Sequence, residues 1–174
     1  GSTSSDVGTI MPSGLQLGLG TRVNGIYRTH DQGTLQITDN ALDLAVLGEG
    51  YFQIEMPDGE LAYTRDGSFK VNQDGEIVTN QGFRVEPGIV IPEDAIDITI
   101  NKNGEVFAKL NAQPELENLG QIEIATFVNE TGLDAIGKNL LLESAASGPP
   151  TLGTPGHVQF GEFSQGALEA SNVD

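Results

Sequence analysis

The chain has 174 residues, which fits one ordinary domain with or without an extended arm. Eight Lys and Arg stand against 25 Asp and Glu, a formal net charge of -17, and such a surface repels phosphate backbones and anionic membranes alike. The absence of Cys removes disulfides, thiolate metal sites and cysteine nucleophiles together, and no apolar run approaches the length of a membrane span.

Residues 1–20, GSTSSDVGTIMPSGLQLGLG, are low in complexity and almost uncharged. Their Gly and Ser content reads on its own as a flexible tail, and the rival reading is an arm that orders against a partner. From residue 34 the pattern becomes one of short strands. Thr34–Thr38 alternates polar and apolar residues, and Tyr51–Met56 and Leu61–Thr64 flank a Pro57-Asp58-Gly59 turn as a hairpin. Phe69–Val71 and Glu76–Thr79 flank Asn72-Gln73-Asp74-Gly75 as a second hairpin. Ile96–Ile100 puts three Ile side chains on one face, and Val106, Ala108 and Leu110 alternate on the return after Asn101-Lys102-Asn103-Gly104. Gln121–Thr126 reads as a further strand, and Leu133–Ile136 as a single helical turn. Residues 144–155, which contain Gly148-Pro149-Pro150, read as a connector, because Pro donates no ladder hydrogen bond. The expectation is an all-β fold of many short antiparallel strands, arranged as a sandwich or a distorted barrel.

The residues give little to build catalysis from. His30 and His157 are not at metal-ligand spacing, and no G-x-S-x-G elbow or phosphate-binding loop occurs. Gly48-Glu49-Gly50 lacks the third Gly of a dinucleotide loop and precedes a strand rather than a helix. The Asn72 and Asn101 turns echo parts of a calcium loop without its leading Asp or its distal Glu, so hairpin turns explain them better. A carboxylate pair of glycosidase type stays open among 25 acids, although there is no Trp to stack a sugar. Asn129-Glu130-Thr131 matches a glycosylation sequon, a pattern that chance supplies easily. No catalytic residue, cofactor-binding residue or metal ligand is assigned, and the expectation is a structural or interaction module.

Three segments in order carry a family resemblance. Residues 40–52, NALDLAVLGEGYF, have an Asp, small apolar residues, then G-x-G and two aromatics. Ala62-Tyr63-Thr64-Arg65-Asp66-Gly67-Ser68-Phe69 follows, then Asp74-Gly75 and Gly82-Phe83, and finally residues 165–173, QGALEASNV. Together they resemble the bacterial flagellar rod and hook proteins. The leading Met11, Pro12, Ser13, Gly14, Leu15, Gln16, Leu17 and Gly18 resemble a segment characteristic of the distal-rod branch of that family.

The resemblance implies a structural subunit of a straight rod that transmits torque to the hook. It divides the chain into an arm over residues 1–40, a β core over residues 41–164 and a return segment over residues 165–174. The family's long terminal helices would then lie outside this chain, which is expected to be mainly monomeric by itself. Implied partners are further copies in a helical homopolymer, proximal rod proteins, the hook protein and surrounding ring proteins, with no nucleic acid and no membrane insertion. The implied location is the periplasmic basal body, reached through the flagellar export apparatus.

Residues 11–18 would be an arm packed on neighbouring subunits. Gly48, Gly50, Tyr51 and Phe52 would set a bend and seat aromatics in the core, and Tyr63, Arg65, Asp66, Gly67 and Phe69 would form the adjoining strand and turn. Ser171, Asn172 and Val173 would lead to the missing C-terminal helix. Arg65, one of 8 basic residues, is expected to pair with an acid inside or between subunits. The rival readings are a hook or proximal-rod paralogue, separable by the sequence of the flanking helices, and a carbohydrate-binding or adhesin module, separable by glycan binding without co-assembly.

Overall fold

The structure, a computed structural model, describes residues 33–170. The strands run β1 (Leu35–Ile37), β2 (Leu44–Leu47), β3 (Phe52–Glu55), β4 (Leu61–Thr64), β5 (Lys70–Val71), β6 (Ile77–Val78), β7 (Arg84–Val85) and β8 (Ala95–Ile100). They continue with β9 (Glu105–Leu110), β10 (Leu116–Gln121), β11 (Ile124–Thr126), β12 (Asp134–Gly137), β13 (Leu140–Leu142), β14 (Thr151–Gly153), β15 (Glu162–Gln165) and β16 (Ala167–Glu169). One 3-10 turn, Glu130–Gly132, interrupts them, and the described residues contain no α-helix. The all-β expectation holds, and every strand pair is antiparallel.

The largest sheet has seven strands in the order β12-β13-β4-β3-β7-β6-β5. A meander β10-β9-β8 and three two-stranded ribbons, β1-β16, β2-β15 and β11-β14, complete the set. None of these sheets closes into a barrel. Both predicted hairpins are present, β3-β4 and β5-β6, and the meander carries the predicted β8-β9 pair. The Asn72 and Asn101 turns are built identically. Asn72 Oδ1 accepts the N–H groups of Asp74 and Glu76, and Asn101 Oδ1 those of Asn103 and Glu105. The amide side chain thus replaces backbone partners lost at the corner.

Three local expectations are corrected. Gln121–Thr126 is not one strand: β10 ends at Gln121, the Ile122 N–H turns to the Gly104 carbonyl, and β11 starts at Ile124 on a different sheet. Leu133–Ile136 is not a helical turn, since Asp134–Gly137 is edge strand β12; the 3-10 turn lies just before it. The connector over residues 144–155 contains β14, paired to β11 after the two prolines have passed.

The core lies where the ribbons cross the large sheet. Phe52, Leu44, Val46, Ile54, Ile122 and Ile124 are all buried there. Phe52 meets Phe69 edge-on at 5.0 Å between ring centroids and lies 5.5 Å from Phe163. In a second cluster Tyr63 meets Phe127 edge to face at 4.9 Å between ring centroids, with Tyr51 alongside. The meander is tied to the body by an amide: Gln165 Nε2 donates to the Ala41 and Ile98 carbonyls, while its Oε1 accepts the Ile100 N–H. This explains the graded Ile face of β8, where Ile100 is buried beside the body and Ile96 is exposed at the far end.

Candidate functional site

The turn after β4 braces itself through short polar side chains. Thr64 Oγ1 accepts the Asp66 N–H, and Asp66 Oδ1 accepts both the N–H and the hydroxyl of Ser68. Such bonds fix the backbone locally, and they aim Arg65 across the β2–β3 bend. Its Nη1 donates to the carbonyls of Gly48 at 2.7 Å and Gly50 at 2.8 Å, and its Nη2 to the Val46 carbonyl at 3.1 Å. Nε and Nη2 also form a fork on the Glu169 carboxylate, at 3.1 and 3.2 Å. Every N–H of the guanidinium therefore has an acceptor.

Gly48 and Gly50 make this possible. Their φ values of +120° and +134° turn both carbonyls onto one cation, a conformation that side chains disfavour. At Gly50 a Cβ would also lie 2.5 Å from Ile124 Cδ1.

Beside Arg65 lies a carboxyl pair. Glu49 shares a hydrogen bond with Glu130, and the Tyr51 hydroxyl donates to Glu130 Oε1 at 2.9 Å. Two carboxyl groups can hydrogen-bond only if a proton sits between them. Burial first, then the bond to Glu130 and its charge, push the Glu49 carboxyl from 4.5 up to about 7, against the opposing pull of Arg65. Burial and the bond to Glu130 likewise push the Tyr51 phenol upward, so it remains a neutral donor.

The folded state thus holds more protons than the unfolded chain between those two values. The pair's contribution is fully present below about 4.5 and is lost as pH rises through about 7. Glu49→Gln supplies a permanently neutral donor to Glu130. It should remove this pH slope and stabilise the chain above pH 7 by about 1 kcal/mol, solvent screening having reduced the nominal shift. Urea unfolding of both proteins across that pH range checks it, and parallel stability profiles would rule it out.

Elsewhere, an open groove of about 720 Å³ is lined by Glu60, Leu61, Tyr63, Glu143 and the Pro149-Pro150 edge. It brings two carboxylates beside a phenol that burial and Glu143 hold in its neutral form. Among the described residues no group of three or more His, Cys, Asp or Glu is placed to hold a metal ion, and there is no helix long and apolar enough to cross a membrane. His157 is exposed, with its backbone N–H in a turn to Thr154, and His30 lies outside the described residues. In the sequon, Asn129 is occupied within its turn: Nδ2 donates to the Ala146 carbonyl and Oδ1 accepts from Thr131.

The segment that carries the bend and Arg65 is also the segment that a family model matches. Residues 45–108 fit the model described as the flagellar hook protein FlgE/F/G D1 domain. Over all 174 residues the chain is 53% identical to the flagellar basal-body rod protein FlgG of Caulobacter vibrioides, covering 100% of this chain and 66% of that protein. The chain belongs to the flagellar rod and hook protein family. The FlgG of Bacillus subtilis is 41% identical over 164 residues, covering 91% of this chain and 61% of that protein. The flagellar hook protein FlgE of Salmonella typhimurium is 31% identical over 172 residues, covering 98% of this chain and 38% of that protein. The chain spans just under two thirds of the length of the curated rod relatives it matches. These relatives carry the names of rod and hook proteins, not of enzymes.

Several residues of the rod-and-hook motif converge in space. Gly48, Gly50 and Arg65 meet directly, and Asp66 fixes the turn that aims Arg65. Phe52 and Phe69 pack edge to face in the main core, while Tyr51 and Tyr63 join the second cluster through Phe127. Gly67 packs against the Leu44 carbonyl and the Phe52 ring. The structure pairs Arg65 with Glu169 of the same chain. Met11, Pro12, Ser13, Gly14, Leu15, Gln16, Leu17 and Gly18 lie outside the described residues, as do Ser171, Asn172 and Val173.

Glu169, Glu49 and Glu130 were not singled out from sequence. Twenty-five acids offer no way to choose these three. The usable signal was Arg65 itself, one of 8 basic residues against 25 acids, which leads the sequence to predict an acidic partner for it without naming one.

Proposed function

We propose that this chain is the body of a structural subunit of the flagellar distal rod, the shaft that transmits torque to the hook. The observation that carries this reading is the 53% identity to FlgG along the whole chain, against 31% to the hook protein FlgE. In this reading the full-length protein stacks with copies of itself into a straight helical tube. It meets proximal rod proteins at one end and the hook at the other, inside surrounding ring proteins. It sits in the periplasmic part of the basal body after passing through the flagellar export apparatus, and its role is mechanical rather than catalytic.

The physical case is stiffness. Short strands with self-braced turns, an amide bridge at Gln165 and a saturated guanidinium at Arg65 leave few soft joints in the body. Residues 11–18 form the arm that packs on neighbouring subunits and keeps the shaft straight, and residues 1–40, 41–164 and 165–174 serve as arm, core and return segment. Deleting residues 11–18 from the full-length protein should yield rods that assemble but curve or bend, as read by electron microscopy of isolated basal bodies. Straight rods of normal stiffness would refute the role of the arm. Failure of the intact full-length protein to restore rods to a rod-deficient strain would refute the distal-rod reading itself.

A further inference from the structure

The first and last strands of the described residues pair with each other: Leu35, Gln36 and Ile37 of β1 lie opposite Glu169, Leu168 and Ala167 of β16. Gly33 and Ala170, the first and last described residues, both adjoin this ribbon. Among the described residues the ribbon has two strands, and Ile37 on it is 70% exposed. Strand β16 packs on β2 with Ala167 fully buried, and polar contacts add to this at both ends of the ribbon. At its turn, the Gly166 N–H donates to the Asp43 carbonyl, and the Gly166 carbonyl accepts from Thr38 and Asp39. At its far end, where the chain leaves, the charged contact is Glu169 with Arg65.

That contact has unusual reach. Glu169 Oε2 accepts the Gly33 N–H at 2.8 Å as well as Arg65 Nη2, so one carboxylate joins both strands of the ribbon. On the other side the guanidinium is seated on the Val46, Gly48 and Gly50 carbonyls, which belong to the rigid bend over the core. The two side chains are only 17% and 11% exposed. An exposed ion pair contributes little to stability, but a shielded fork with every donor satisfied is a strong and directional joint. Lys cannot reproduce it, because an ammonium is a point charge without the planar fork.

We propose that the Arg65–Glu169 pair is the positioning contact that fixes the terminal ribbon on the body, so that a twisting load entering at the chain ends reaches the core through it. The mechanical half of this statement rests on the distal-rod reading; the coupling half does not.

Hydrogen exchange on the 174-residue chain tests the coupling. Glu169→Gln leaves the guanidinium on its three carbonyls, removes the charged fork, and leaves a single side-chain oxygen for Arg65 and the Gly33 N–H. Backbone amides of β1 and β16 should exchange about tenfold faster, while those of β3 and β4 stay unchanged. Arg65→Lys, which also frees the three carbonyls, should accelerate the ribbon amides by about 100-fold. Unchanged ribbon amides in both variants, or equal acceleration of ribbon and core in both, would overturn the coupling. If Arg65→Lys unfolds the chain, the milder Glu169→Gln decides alone.

The mechanical half is read in a rod-deficient strain carrying the full-length protein. Glu169→Gln should swim at normal speed in dilute medium and lose speed faster than the unsubstituted protein as viscosity rises. Superimposed speed–viscosity curves would overturn it. If the unsubstituted protein fails to restore swimming, the distal-rod reading fails, and the exchange result still stands on its own.

Discussion

Adding one methyl group at Gly67 should cost the fold about 3 kcal/mol or more, an effect out of proportion to the change. A Cβ there would overlap the Leu44 carbonyl oxygen and come within 2.9 Å of the carbonyl carbon behind it. On the other side it would meet Cε2 of Phe52 at 3.1 Å. Neither neighbour can yield. Leu44 is held by its own N–H, which donates to the Gly67 carbonyl at 3.0 Å, and the next residues are bridged, Asp43 to Ser68. Phe52 is wedged between Phe69 and Phe163. The turn cannot swing outward either, because Asp66 and Ser68 are bonded to each other. For a domain of this size the melting temperature of Gly67→Ala should fall by about 6 to 12 °C, as followed by circular dichroism. A fall of under about 2 °C would mean that the turn relaxes where these contacts say it is fixed.

What sequence could foretell follows from the range of the forces involved. Hairpins β3-β4 and β5-β6 were legible because a turn is a local event: Asp58-Gly59 and Asp74-Gly75 carry the residues that such corners demand. The split of Gln121–Thr126 was not legible, since alternation continues through it. The break is imposed from a distance, by the Gly104 carbonyl capturing the Ile122 N–H. Leu133–Ile136 misled for a related reason. Four residues are too few to separate helical from extended periodicity, and the pairing of Ala135 with Leu141 decided the matter.

The same contrast divides the site. Gly48, Gly50 and Arg65 stood out because their chemistry is unusual wherever it occurs. Glu169 stands 104 residues from Arg65 and was one acid among many, and only the packing of β16 on β2, beside the bend where Arg65 sits, makes it the partner. Likewise Glu49 was visible only as the residue between two glycines. Its raised proton affinity comes first from burial and then from Glu130, which arrives from the 3-10 turn.

Phe52→Ala should be the most damaging single truncation in the core, with a loss of about 3 to 5 kcal/mol. Phe52 is fully buried, and it is the ring that both Phe69 and Phe163 contact. Removing it leaves a void bounded by two aromatic faces and by the backbone near Gly67, a wall too stiff to collapse. The edge-to-face partnership with Phe69 is lost as well, adding about 1 kcal/mol beyond the buried area. Phe52→Leu keeps most of the volume and should cost about 1.5 kcal/mol, so the two variants separate cavity formation from mere loss of aromaticity.

Urea unfolding should place Phe52→Ala at a much lower midpoint with an unchanged slope. The slope matters, because Phe52 begins β3, pairs with Thr64 and lies directly beyond the bend that seats Arg65. A shallower slope together with early loss of the β1-β16 ribbon would mean that the bend melts separately from the core. Coincident loss of all probes would instead show that body and ribbon unfold as one unit, the behaviour a torsionally stiff part requires.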